Sequence, residues 1–184
     1  LGEYSALMFA ESITFEDAIE MTHLRGKLMQ NSEEGKMMAI LGLDSKTIDK
    51  ACSQINESHK TAYVASANYN SAKQTVIAGN IEGIDIARNL LPDIGAKRCI
   101  ELNVSIASHT NLMTDAANEF NEALQKINLS PPRHPIIQNY TGEIETDISS
   151  IKQNLFNQLT KPVLWTKTMD KISQSASCLI EVGP

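Results

Sequence analysis

At 184 residues, 42% of them apolar, the chain is long enough to bury a substantial core in one domain, or in one domain carrying an insertion. A formal charge of −6 with no long basic run argues against nucleic acid as the main partner. No apolar stretch approaches the roughly eighteen residues of a membrane span and no signal-peptide pattern opens the chain, so a soluble, cytoplasmic protein is expected.

The first predicted element is a helix over Leu1 to Ala10, since nothing breaks it before Ser12. A second helix, Thr14 to Gln30, has Thr14 as N-cap and Asp17 in its first turn. Its apolar side runs Phe15, Ala18, Thr22, Gly26 and Met29, with Glu16, Glu20, His23 and Lys27 opposite. At about 100° per residue Arg25 falls between Thr22 and Met29, inside that apolar stripe. A guanidinium keeps its charge at neutral pH, so an anion should meet it. Periodicity alone leaves three partners open: an internal Asp or Glu, solvent reached past the methionines, or the anionic part of a ligand.

Lys36 to Leu43 is a short apolar run, Asp44 to Ile55 a helix, Ala62 to Asn68 and Gln74 to Ala78 two strands, Gly83 to Ile94 a helix, and Arg98 to Val104 a strand. That order, β-α-β-β-α-β, is the split ferredoxin-like arrangement, so residues 36–104 are expected to form a small subdomain. After it come a helix near Thr114 to Ile127, a Pro-Pro turn at Pro131, a strand at Pro135 to Tyr140, helices near Ile148 to Leu159 and Thr166 to Ser175, and a strand Cys178 to Val182. Strands separated by helices predict an α/β core with a parallel sheet, made of residues 1–35 and 105–184. Two strands cannot cover these helices, so the core is expected to be incomplete and to have lost sequence upstream. Cys52, Cys99 and Cys178 are odd in number, widely spaced and without C-x-x-C or flanking His, which predicts reduced core thiols and no metal site.

Several blocks carry a resemblance. Leu1-Gly2-Glu3-Tyr4-Ser5-Ala6-Leu7 is similar to the segment after the nucleophile in malonyl-CoA:acyl carrier protein transacylases, where Gly-His-Ser precedes Leu-Gly-Glu-Tyr. The likeness continues, in the family's order, through Leu24 to Gln30, Asn68 to Ser71, Val76 to Gly79, Ala96 to Arg98, Val104 to His109, Gln158 to Trp165 and Glu181 to Pro184. The family's Ser-Pro-Gly-Gln is Ser71-Ala72-Lys73-Gln74 here, a departure that adds a charge.

The resemblance implies an α/β-hydrolase-like core and a ping-pong reaction that carries malonyl from coenzyme A to the phosphopantetheine thiol of acyl carrier protein. The nucleophilic serine would immediately precede Leu1, outside the sequence. Leu1 would give a backbone N–H to the oxyanion, and Gly2 would close the turn tightly. Ser5, a turn further into the helix, is read as an ordinary helical serine. His109 would be the general base, ahead of His23, His59 and His134, and the backbone carbonyl of Gln158 would hold its ring. Arg25 would grip the malonyl carboxylate, while Asn68, Asn70 and Ser71 would bind the acyl or pantetheine portion. Lys161, Lys167, Lys97 and Arg98 are candidates for docking the carrier protein, and no cofactor is implied. The alternatives are an acyltransferase or hydrolase serving polyketide assembly, and an inactive carrier-protein-binding module.

Overall fold

The computed structural model describes residues 2–182. Helix α1 (Gly2–Phe9) turns at Ala10 to Ile13 into α2 (Phe15–Gln30), whose N-cap Thr14 accepts from the Asp17 N–H as its spacing predicts. α5 (Thr114–Leu124) and α6 (Ile148–Thr160) pack against this pair, and Leu7, Met21, Phe120, Ile151, Leu155 and Leu159 close the largest apolar cluster. Tyr4 lies edge-on to Phe120, ring centres 6.5 Å apart and planes at 86°.

A four-stranded antiparallel sheet forms the middle of the chain from β1 (Lys36–Leu41), β2 (Val64–Ser71), β3 (Gln74–Gly79) and β4 (Arg98–Glu101), in the order β2-β3-β1-β4. α3 (Ser45–Ser58) follows β1 and α4 (Ile81–Asp93) follows β3, and both cover one face of the sheet around Met38, Ile40, Ile77, Ile84 and Leu91. A Cβ on Gly83 would stand 2.3 Å from the Tyr63 carbonyl oxygen, so glycine is what lets α4 approach the start of β2 so closely. On the other face Met37, Ala39, Val76 and Ala78 pack with Ala107, which joins the sheet to the helices.

Main-chain bonds stitch this seam. Val163 donates to Ala67 at 2.8 Å and accepts from Tyr69 at 2.9 Å, while Gly35 donates to Ser105 at 3.0 Å. β2 is irregular between Ser66 and Asn68 and again between Tyr69 and Ser71, where it meets Val163. Such bulges re-aim side chains at a sheet edge.

The expected parallel sheet does not form among the described residues. The predicted strand at Pro135 to Tyr140 shrinks to β5 (Ile136–Ile137), which pairs antiparallel with β6 (Ile144–Glu145). Cys178 to Val182 is not a strand: its backbone makes no main-chain hydrogen bond among the described residues, and Ile180 and Val182 stay 80% and 93% exposed. The only parallel contact in this described part is the Asn68–Val163 bridge. The core-thiol expectation holds for Cys52 alone, since Cys99 is half-buried and Cys178 exposed. α7 (Trp165–Ser173) completes the described elements. No helix is long and apolar enough to cross a membrane, and no group of three or more His, Cys, Asp or Glu is placed to hold a metal ion among the described residues.

Candidate active site

The last turn of α6 builds the site. Helix ends leave carbonyls without intrahelical partners, and Pro162 stops this helix just after its C-cap Lys161 bonds back to Asn157. The next two carbonyls, of Gln158 and Leu159, both turn to His109. Leu159 accepts the His109 backbone N–H at 3.1 Å, and Gln158 accepts ring Nδ1 at 2.6 Å. A carbonyl can only accept, so Nδ1 carries the proton and Nε2, which makes no hydrogen bond among the described residues, is left to accept. The loop reaches this position with His109 in the left-handed region at φ +63, and Thr110 Oγ1 ties it down by donating to the Ala107 carbonyl at 2.7 Å.

Burial pulls the His109 pKa down to about 4. The hydrogen bond to Gln158 opposes this, and the nearby Arg25 charge adds to it. At neutral pH the ring is therefore an uncharged base. His23, His59 and His134 do not compete: all three are exposed, His59 bonds back to Ile55, and His134 stacks on Phe9.

Arg25 emerges from α2 toward the same helix end. Its Nη2 reaches Gln158 Oε1 at 3.5 Å, and its buried Nε has no partner among the described residues. Burial lowers its pKa, opposed by Tyr4 and Glu3. It forms no ion pair with Asp or Glu among those residues, so the internal-acid alternative is not realised. The stripe itself is narrower than its periodicity suggests: Gly26 is exposed and Phe15 is 59% exposed, leaving Ala18, Met21 and Met29 buried.

Asn68 and Asn70, on the bulged strand, line a 460 Å³ cavity with Gly2, Glu3, Asn139 and Trp165. Asn70 and Ser71 line a second of 490 Å³ with Ser45, Thr166 and Asp170, which shares Asn70 with the first. A Cβ on Gly2 would meet nothing within 4 Å among the described residues. Leu1, assigned a backbone role by resemblance, lies outside the described residues. Ser5 is exposed on α1 beside Met8, Phe15 and Ile19. Of the docking candidates, Lys161, Lys97 and Arg98 are exposed, while Lys167 pairs with Glu143.

Sequence reasoning missed Glu3, 5% exposed, whose carboxylate accepts from the side chains of Gln158 and Gln138, the latter at 3.1 Å. Its signal was present: Glu3 shares a helical face with Leu7 and Ala10, the same anomaly that marks Arg25.

The fold is a mixed α/β domain in which His109, oriented by two main-chain carbonyls, lies near the half-buried Arg25, which forms no ion pair among the described residues. The chain belongs to the acyl transferase domain family, whose model matches residues 1–184. It is 43% identical to the malonyl CoA-acyl carrier protein transacylase of Salmonella typhimurium over 100% of its length and 60% of that protein. It is 35% identical to the Bacillus subtilis protein of the same name, of which it covers 59%. The crystal structure of FabD from Acinetobacter baumannii superposes with a TM-score of 0.90 at 40% identity, covering 94% of this chain and 55% of that one. A malonyl-transacylase solved in complex with its type II PKS acyl-carrier protein gives 0.88 at 39% identity, covering 94% and 56%. The chain thus spans about 60% of the length of the curated relatives it matches.

Proposed function

We propose that the protein transfers a malonyl group from malonyl-CoA to the phosphopantetheine thiol of acyl carrier protein, for fatty-acid synthesis in the cytoplasm. The observation that carries the reading is His109, uncharged at neutral pH, with Nδ1 held by the Gln158 carbonyl and Nε2 without a hydrogen-bond partner among the described residues. A serine preceding Leu1 loses its proton to Nε2 as its oxygen attacks the thioester carbonyl. The carbon–sulfur bond breaks, and the imidazolium returns the proton to the departing coenzyme A thiolate. The carrier thiol then reverses the sequence, its proton passing through His109 to the serine oxygen. These steps balance without a cofactor.

Arg25 receives the malonyl carboxylate, the Leu1 N–H receives the oxyanion, and Asn68, Asn70 and Ser71 contact the acyl or pantetheine portion along the seam. In this reading residues 36–104 are a ferredoxin-like subdomain, supported by their β-α-β-β-α-β order, set into an α/β-hydrolase-like core supplied by residues 1–35 and 105–184. A second reading, malonyl loading for polyketide assembly, draws on the relative solved with a type II PKS carrier protein.

Mass spectrometry of the intact protein incubated with malonyl-CoA tests the reaction. A malonyl adduct on the residue ahead of Leu1, discharged by the phosphopantetheinylated carrier of fatty-acid synthesis, is the expected result. Absence of any adduct would leave a carrier-binding module in place of the enzyme, and discharge only by a polyketide carrier would favour the second reading.

A further inference from the structure

We propose that Glu3 is a positioning residue: through the side-chain amide of Gln158 it keeps the Arg25 guanidinium clear of the protein's own carboxylates and open to the carboxylate of the acyl group. The inference rests on the reading above for what Arg25 receives.

Burial raises the Glu3 pKa, opposed by its bond from Gln138 and by the Arg25 charge; with Glu3 ionised, each amide around it has one workable orientation. The nitrogen of Gln138 also reaches the Ile151 carbonyl at 3.3 Å, and a carbonyl can only accept. The oxygen of Gln138 takes Asn154 Nδ2 at 2.7 Å, so its nitrogen is the end that faces Glu3. With the other Glu3 oxygen accepting from Gln158 Nε2, the Gln158 oxygen must point the opposite way, toward Arg25 Nη2 at 3.5 Å. Reversing that amide would set its NH2 against a guanidinium, which has no acceptor, and its oxygen against a carboxylate.

The buried acid nearest Arg25 in this network therefore meets it through a neutral amide and not as an ion pair. A direct pair would neutralise the cation, and an incoming carboxylate would have to displace it. The same residue that spaces Glu3 from Arg25 also holds His109 by its main-chain carbonyl, so the anion grip and the base share one anchor.

In the intact protein, Glu3→Gln removes the acid that dictates the Gln158 orientation. Competition between malonyl-CoA and acetyl-CoA should show the malonyl-to-acetyl ratio of kcat/KM falling about tenfold, carried by the KM for malonyl-CoA. A purely structural role would depress both substrates in parallel, and an unchanged ratio overturns the proposal. Should Glu3→Gln fail to fold, Gln158→Met retains the carbonyl on His109 but lets Glu3 close on Arg25. The same fall is expected there, and a ratio within about twofold of wild type overturns the proposal. A wild-type protein that loads malonyl no better than acetyl refutes the assigned reaction itself, whatever Glu3 does.

Discussion

Replacing Arg25 by lysine separates charge from shape. Among the described residues the guanidinium has a buried Nε without a partner and an Nη2 facing a neutral oxygen at 3.5 Å, which on the proposed function leaves its fork open to a carboxylate. Lysine keeps the charge but offers one prong. A hydrogen bond to a charged group contributes about 1.5–3 kcal/mol, so loss of one lowers kcat/KM for malonyl-CoA by about 10- to 150-fold. Acetyl-CoA has no free carboxylate and loses none of this. The assay of the proposed function is transfer to carrier protein by the intact protein with both thioesters in competition, read as the malonyl-to-acetyl ratio. Arg25→Lys holding that ratio within about threefold of wild type would refute the forked grip and reduce Arg25 to a point charge.

His109 is neutral until the pH approaches about 4, so acylation should fall through that region and not near the ordinary 6.5, as a pH–rate profile will show. The same depression makes the unfolded chain bind more protons between those values. Its stabilising contribution is therefore full above 6.5 and lost as the pH falls through 4, a slope in urea midpoints that His109→Gln should flatten. Phe120→Ala, which empties a fully buried site beside Tyr4, should cost about 3–5 kcal/mol by urea denaturation. Gly83→Ala drives a Cβ to 2.3 Å from the Tyr63 oxygen and should cost about 1–3 kcal/mol in the same measurement.

The four-stranded sheet was legible because its information is local: runs such as Met37 to Ile40 are buried at every position, and Asp44 and Asn80 cap the helices beside them. Pro135 to Tyr140 and Cys178 to Val182 look equally strand-like, but a strand needs a neighbour and a chain pattern does not supply one. Periodicity found Arg25 as an ion out of place. It did not find the surrounding network, because Glu3 meets Gln138 and Gln158 from 135 and 155 positions away. Resemblance brought His109 and Gln158 together in advance, yet it credited Gln158 with its main chain alone, while its side chain bridges Glu3 and Arg25.

The left-handed turn at His109 carries a penalty of roughly 1–2 kcal/mol that a glycine would escape. Its backbone bond to Leu159 would survive that exchange, but the Gln158 carbonyl would lose the ring N–H it accepts, a loss of about 1–3 kcal/mol that offsets the relief of strain. The turn and the ring are therefore coupled: the strained backbone at residue 109 is what brings the imidazole onto the end of α6, and a glycine there would trade one for the other.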